Sequence, residues 1–187
     1  FGTKIFINRF KSSLECINNQ QFANAEIESI IEEISQIVKN NDSGKEFYNW
    51  LTNPQDKVKL IDFDNIENNT FHFTAEFTCK NGNEEFRPDI TLFVNGLPLV
   101  YIEVKKPNNK EGIVAERNRE YNVRLPKRKF RRFNNITQFM LFSNNMEYDT
   151  MGGIVPVQGV FYCTNAHKRS PFNCFREENP LNEDVAP

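Results

Sequence analysis

The fold is decided by residues 87–107, RPDITLFVNGLPLVYIEVKKP. Two β-rich apolar runs flank the turn signal Asn95-Gly96, a pattern that predicts a β-hairpin. The second run, residues 99–104, is apolar almost throughout, which predicts a central strand. Three polar residues interrupt the runs near their far ends: Asp89, Glu103 and Lys105. Because charges inside an apolar strand are costly to bury unpaired, these three are the first candidates for function.

The length and composition are those of a chain that can bury one hydrophobic core. Its 187 residues fit a single domain, and the formal net charge of -2 gives no global sign of nucleic-acid binding. The four cysteines and two histidines are scattered, which argues against a zinc site. No apolar run approaches the roughly 18 residues of a membrane span, so we expect a cytoplasmic protein without a membrane partner. The start at Phe1 and the loose C-terminal tail lead us to expect a piece of a longer polypeptide.

Hydrophobic periodicity predicts both helices and strands. Residues 24–39 carry isoleucines along one face, which predicts an amphipathic helix that ends at residues 41–44. Residues 71–79 alternate apolar and polar, which predicts a half-buried strand with its phenylalanines in the core. The apolar residues of 1–18 recur with no decisive period, so we expect a short strand or an irregular segment there. Further helices are expected near 47–51 and 111–122, and further strands at 136–142 and 157–163. Together they predict an α/β fold with a mixed central sheet flanked by helices.

The polar residues of the hairpin suit phosphodiester hydrolysis. That reaction needs a metal ion on oxygen ligands, an activated water and charge stabilisation in the transition state. Asp89 and Glu103 offer carboxylates for Mg²⁺, and the carbonyl oxygen of Val104 could add a ligand. Lys105 lies two residues beyond Glu103 and therefore projects from the same face of the strand. The alternative is that all three are solvated charges at strand ends.

The turn decides whether Asp89 can join the other two residues. A regular two-residue loop at Asn95-Gly96 would place Asp89 on the opposite face from Glu103 and would abolish the metal site. A three-residue loop that begins at Val94 pairs Asp89 with Tyr101 and restores a common face. We therefore predict an odd-length loop or a β-bulge.

These residues carry a resemblance to a known family. Arg87-Pro88-Asp89 followed by Glu103-Val104-Lys105 resembles the PD-(D/E)XK nuclease motif. The surrounding sequence resembles the N-terminal domain of the restriction (R) subunit of type I restriction endonucleases. The likeness continues at residues 133–138, 142–149 and 172–178, so that it covers roughly residues 27–178.

The resemblance implies a restriction-endonuclease-like (PD-(D/E)XK) core at about residues 20–178, within a single endonuclease domain of residues 1–187. Residues 179–187 would be a tail or linker toward an ATP-dependent translocase domain that this sequence lacks. The implied activity is that of a type I site-specific deoxyribonuclease: Mg²⁺-dependent endonucleolytic cleavage of double-stranded DNA in a restriction-modification system. The implied partners are double-stranded DNA and the modification (M) and specificity (S) subunits. ATP would act only through the missing motor, because no G-x-x-x-x-G-K-[ST] loop is present.

The resemblance also implies residue roles. Asp89 and Glu103 would be metal ligands together with Val104, and Lys105 would be the catalytic lysine. Glu26 is our choice for the acidic residue that such nucleases place on the first core helix. The alternatives for that acid are Glu32 and Glu33.

The helix after the E-x-K strand departs from related nucleases, which often carry a Gln-x-x-x-Tyr pair there. The residue four before Tyr121 is Arg117. We therefore predict Arg117 and Arg119 only as phosphate contacts.

A basic run at residues 124–132 has two interpretations. It is either a solvated loop or a phosphate-binding segment that uses Lys127, Arg128, Arg131 and Arg132. For the whole chain, the alternatives to a type I nuclease domain are a stand-alone repair or recombination nuclease of the same fold, and a non-catalytic DNA-binding or docking module.

Overall fold

The computed structural model describes residues 4–81, 83–105, 110–143, 160–164 and 172–176. The α-helices in these ranges are α1 (Ile7–Asn18), α2 (Asn24–Ile37), α3 (Lys45–Thr52), α4 (Lys110–Arg119) and α5 (Arg131–Ile136). The strands are β1 (Phe71–Ala75), β2 (Cys79–Asn81), β3 (Glu84–Phe86), β4 (Ile90–Val94), β5 (Leu97–Val104), β6 (Phe139–Ser143), β7 (Val160–Thr164) and β8 (Phe172–Arg176). A 3₁₀ turn spans Ile66–Asn68, and a π-helical turn, Glu120–Arg124, continues α4.

Six strands are hydrogen-bonded in the order β1-β4-β5-β6-β7-β8, and β2 pairs with β3 in a separate antiparallel hairpin. The pairs β1–β4, β6–β7 and β7–β8 are antiparallel. β5 and β6 run in the same direction, because Gln138 N donates to the Leu99 carbonyl at 2.8 Å and Lys105 N donates to that of Ser143 at 2.8 Å. The predicted mixed α/β architecture is confirmed.

Residue contacts divide the chain into two compact units: residues 1–100 with 127–138, and residues 101–126 with 139–187. The first unit contains a continuous apolar core to which α1, α2, α3, α5 and the start of β5 contribute. Its buried members are Phe10, Leu14, Phe22, Ile27, Ile34, Ile37, Val38, Phe47, Trp50, Leu51, Leu60, Ile61, Leu97, Leu99 and Ile136. The predicted amphipathic helix is thus confirmed as α2, and the helix expected near residues 47–51 is α3.

The prediction for residues 1–18 was wrong, because residues 7–18 form α1. Phe10, Leu14 and Ile17 are buried at i, i+4 and i+7 along one face of this helix. The preceding apolar residues Ile5 and Phe6 lie outside the helix and blur its period. No helix in the described residues is long and apolar enough to cross a membrane.

The phenylalanine face of β1 was also predicted wrongly. Phe71 and Phe73 are 60% and 73% exposed, whereas His72 lies opposite the fully buried Phe93. β1 is at one end of the strand order and therefore forms an edge of the sheet. Alternation thus identified a two-faced strand but not which face is covered. Glu76, at φ 52°, ends this strand before the predicted limit at Cys79.

The remaining boundaries differ more modestly. The helix expected at residues 111–122 is α4 with its π-helical extension, and β7 overlaps the strand expected at 157–163. The strand expected at 136–142 begins later, at Phe139, because α5 continues to Ile136. β8 was not predicted.

The hairpin turn contradicts the predicted odd-length loop. β4 ends at Val94 and β5 begins at Leu97, so that the loop is Asn95-Gly96, with φ 53° and 79°. Positive φ at both residues is typical of a two-residue type I′ turn. Val94 packs against the same core as Leu97, as this register requires. With this loop, a common face for Asp89 and Glu103 requires a β-bulge further along the hairpin, and the bulge stays a prediction.

Buried hydrogen bonds explain the short turn. The fully buried Asn95 side chain accepts from Thr70 N at 2.8 Å and donates to the Leu60 carbonyl at 2.9 Å and to Asn69 Oδ1 at 2.8 Å. Asparagine tolerates the left-handed conformation better than most residues. A Cβ on Gly96 would lie 2.8 Å from the carbonyl oxygen of Phe6, so the turn also fixes the start of α1.

Replacing Asn95 tests this arrangement. We expect Asn95→Ala to lower the free energy of unfolding by about 2–4 kcal/mol, because the buried Leu60 carbonyl and the half-buried Thr70 N–H lose their partners. The exposed Asn49 on α3 is a matched control, and Asn49→Ala should change stability by less than about 0.5 kcal/mol. Urea unfolding of the three proteins is the measurement. Equal stabilities would contradict the role assigned to Asn95.

Candidate active site

Glu103 is a carboxylate inside a strand. In the part of β5 that belongs to the second unit, Tyr101 and Glu103 are buried, whereas Ile102 is half-buried and Val104 is exposed. Only 5% of Glu103 is exposed. A buried carboxylate must be paired or neutralised, so its neighbours determine what this position can do.

Lys105 is the cation beside Glu103. Its ammonium nitrogen lies 3.6 Å from Glu103 Oε1 and 3.7 Å from Glu116 Oε1 on α4. The backbone N–H of Lys105 is held by the Ser143 carbonyl. The second unit therefore holds one ammonium between two buried carboxylates, and Glu103 and Lys105 lie together in it.

Further charges extend this group. Arg119 Nη1 lies 2.7 Å from Glu116 Oε1, and Arg124 Nη2 lies 4.0 Å from Glu116 Oε2. Arg124 Nη1 also lies 3.4 Å from Glu120 Oε2 and donates to the Tyr101 hydroxyl at 3.0 Å. We call the six charged residues the charge cluster: Glu103, Lys105, Glu116, Arg119, Glu120 and Arg124. Its three carboxylates and three cations balance, which reduces the cost of burying them.

The π-helical turn positions one side of the cluster. Leu125 N donates to the Glu120 carbonyl at 2.8 Å, an i to i+5 bond that widens the helix. Glu120 and Arg124, at the two ends of this turn, are both buried. Such turns occur often at functional sites, and this one directs an Arg and a Glu to the same cluster.

Burial changes the acid-base properties of the cluster. It raises the pKa of Glu120 to about 7, although the nearby Arg124 guanidinium opposes the shift. Burial also raises the pKa of the Tyr101 hydroxyl, with a further contribution from the Glu120 carboxylate. Glu120 is fully buried and its Oε1 has no hydrogen-bond partner. Its carboxyl group is therefore the member of the cluster that changes charge near neutral pH.

Asp89 lies in the first unit. It is half-buried, precedes β4, and its carbonyl oxygen accepts from Glu76 N at 2.9 Å. Its participation with Glu103 stays a prediction.

The three helix acids proposed from sequence all have local partners on or near α2. Glu26 Oε2 accepts from Ala23 N at 2.7 Å and so caps the N-terminus of the helix. Glu32 accepts from Gln36, and Glu33 pairs with Lys57 at 2.5 Å. All three acids are exposed. Capping is thus an observed role for Glu26, and its catalytic role stays a prediction.

The predicted DNA-contacting cations differ in exposure. Lys127 and Arg128 are exposed, and Arg131 and Arg132 at the start of α5 are half-buried. On α4, Arg117 is half-buried and Arg119 pairs with Glu116. Arg124, the first residue of the basic run, is buried in the charge cluster.

The chemistry of the donors suits a hard cation. Mg²⁺ is usually held by one or two carboxylates, with waters and substrate phosphates completing its shell. The Glu103 carboxylate and the Val104 carbonyl are oxygen donors of this kind. Among the described residues, no group of three or more His, Cys, Asp or Glu side chains is arranged to hold a metal ion.

Sequence reasoning missed Tyr101, Glu116, Glu120 and Arg124 as members of this site. The spacing of Glu116, Glu120 and Arg124, each four residues apart, was the available signal, since it places acids and a base on one helical face. That signal does not reveal that the face is buried.

Comparison with known proteins establishes the class. The family model of the type I restriction enzyme R protein N terminus matches residues 2–151. The chain therefore belongs to this family.

Three relatives from Methanocaldococcus jannaschii are type I restriction enzyme endonuclease subunits. The chain is 53% identical to the MjaVIIP subunit over 49 residues, 26% of this chain and 5% of the relative. It is 50% identical to the MjaVIIIP subunit over 50 residues, which are 27% of this chain and 5% of that relative. It is 41% identical to the MjaIXP subunit over 58 residues, which are 29% of this chain and 6% of that relative. The matched stretches thus span about one-twentieth of the relatives' length.

The pKa of Glu120 predicts a specific pH dependence. Its pKa in the folded chain, about 7, lies above the ordinary 4.5, so the folded state binds more protons between these values. The free energy of unfolding should therefore fall as pH rises through this window, by about 3 kcal/mol from this group alone. Glu120→Gln should lack this contribution.

Urea unfolding between about pH 4.5 and about pH 8 measures the effect. The exposed Glu28 provides a control, and Glu28→Gln should retain the wild-type dependence. The same pH dependence in Glu120→Gln and wild type would show that Glu120 does not titrate in this window.

Proposed function

We propose that this chain is the nuclease domain of a type I restriction enzyme R subunit, and that it cleaves double-stranded DNA endonucleolytically with Mg²⁺. The observation that carries the proposal is the ion pair between the buried Glu103 and the half-buried Lys105 at the end of β5, in a chain that belongs to the R-protein N-terminal family. In this proposal the mixed α/β fold is a PD-(D/E)XK core, within one endonuclease domain of residues 1–187.

The metal ligands would be the carboxylates of Asp89 and Glu103 and the carbonyl oxygen of Val104. When bound, the cation would supply Lewis-acid activation of a water and of the scissile phosphate. Glu103 already lies in a site that excludes most solvent, which strengthens its attraction for a cation. Glu26 is the further acid that we assign to the site from the resemblance.

Lys105 would be the catalytic lysine. Its ammonium lies beside Glu103 and its side chain is one-quarter exposed, so that it can reach a bound phosphate. An ammonium at this place would orient the attacking water and stabilise the negative charge that develops on the phosphorus oxygens.

DNA would be held by sequence-independent phosphate contacts. We assign these contacts to Lys127, Arg128, Arg131 and Arg132, with Arg117 and Arg119 as further candidates. Neutralising the first four together should weaken DNA binding and lower its salt dependence. Unchanged affinity and salt slope would identify the segment as a solvated loop.

The domain would work as part of a larger complex. In the proposed full-length R subunit, an ATP-dependent motor would move DNA, and the M and S subunits would complete a cytoplasmic restriction-modification enzyme. Target recognition would belong to the specificity subunit.

Plasmid cleavage by the assembled, full-length enzyme with Mg²⁺ tests the proposal. Asp89→Ala, Glu103→Ala and Lys105→Ala should each reduce the cleavage rate by about 100-fold or more, because each removes a group that acts in the transition state. Glu28→Ala, an exposed change on α2, should cleave like wild type.

Thermal unfolding separates lost chemistry from lost structure. Since Glu103→Ala also removes one of the two carboxylates beside Lys105, the shape-conserving Glu103→Gln should be inactive while it melts near the wild-type temperature. Retained cleavage in all three alanine variants would reject the nuclease mechanism.

A further inference from the structure

We infer that Glu116 is a positioning residue for Lys105: it holds the ammonium beside Glu103 without letting the two close to hydrogen-bond distance. The inference rests on the proposed nuclease function, because it assigns the device that prepares the proposed catalytic lysine. Glu116 was not a candidate from sequence, where its neighbours Arg117 and Arg119 were predicted as phosphate contacts.

The geometry around the ammonium carries this inference. Lys105 Nζ lies at nearly equal distances from Glu103 Oε1 and Glu116 Oε1, 3.6 Å and 3.7 Å. Both distances exceed the 2.7–2.9 Å of a charge-assisted hydrogen bond. The ammonium therefore lies between the two carboxylates and is not hydrogen-bonded to either of these oxygens.

Glu116 is itself fixed. Arg119 Nη1 holds Oε1 at 2.7 Å, and the buried Arg124 approaches Oε2 at 4.0 Å. With 6% of the residue exposed and no hydrogen-bond partner on Oε2, its carboxylate depends on these cations for compensation. It is thus a fixed negative charge on α4 that faces the end of β5.

Removing the Glu116 charge leaves Glu103 as the stronger attraction for the Lys105 ammonium. Among the described residues, the ion pairs of Lys105 are with Glu103 and Glu116 alone. Without Glu116, the ammonium would move onto Glu103, because no opposing charge would hold it back. The lysine would then occupy a carboxylate oxygen that the proposed mechanism needs, and would leave its place beside the substrate phosphate.

Two variants test the inference in the assembled, full-length enzyme. Glu116→Gln keeps the shape and removes the charge, whereas Glu116→Asp keeps the charge on a shorter side chain. We expect Glu116→Gln to lower kcat for DNA cleavage about 10- to 100-fold with little change in KM, and Glu116→Asp to recover most of the loss. Glu28→Gln is the matched exposed control.

A second readout does not depend on cleavage. Acetylation of Lys105 by an amine-reactive reagent, measured by mass spectrometry of the same full-length proteins, reports how firmly the ammonium is held. An ammonium held directly against a carboxylate is less accessible to the reagent, so Glu116→Gln, in which Lys105 would move onto Glu103, should lower the acetylation rate of Lys105 several-fold. The exposed Lys45 should react as in wild type in every variant.

The outcomes separate this inference from the proposed function. Wild-type kcat and Lys105 acetylation in Glu116→Gln, beside an inactive Lys105→Ala, would overturn the inference alone. A lowered melting temperature with no recovery in Glu116→Asp would assign Glu116 a structural role and would also overturn it. If Lys105→Ala cleaves like wild type, the proposed function itself fails.

Discussion

The second unit depends on one constraint, the burial of a carboxylate within a strand. Glu103 follows Tyr101 on the covered face of β5, where an isolated negative charge would be strongly destabilising. Lys105 lies next to it, and α4 with its π-helical extension brings Glu116, Glu120 and Arg124 to the same cluster. A neutral cluster of this size contributes less to stability than an apolar core of equal volume. This low contribution to stability supports the chemical role that we propose for the cluster.

The hairpin that carries Glu103 has its own anchor at the opposite end. Asn95 accepts and donates buried hydrogen bonds while it adopts the left-handed conformation that the turn requires. Gly96 lies against the backbone of Phe6 too closely for any side chain. The turn thus connects α1, the loop after α3 and the start of β5. Asn95-Gly96 is therefore more than a turn: its contacts also hold neighbouring segments of the first unit together.

Sequence reasoning predicted what depends on local pattern. The isoleucine period of α2, the hairpin and the common strand face of Glu103 and Lys105 all follow from spacing along the chain. The errors arose where the outcome depends on covering elements: Phe71 and Phe73 alternate like core residues but lie on an edge strand. Glu116 and Arg124 look like ordinary helix-surface charges, yet both are buried. The loop length was set by the partners of Asn95, which are 25 to 35 residues away along the chain.

We propose that Asp89 and Glu103 bind one divalent cation together. A crystal structure of the chain in Mn²⁺, a probe for Mg²⁺ with measurable anomalous scattering, tests it most directly. We expect an anomalous peak at a metal ion that both carboxylates coordinate, with a bulge in the hairpin that turns Asp89 toward Glu103. A regular hairpin with Asp89 on the opposite face and no peak at Glu103 would contradict it.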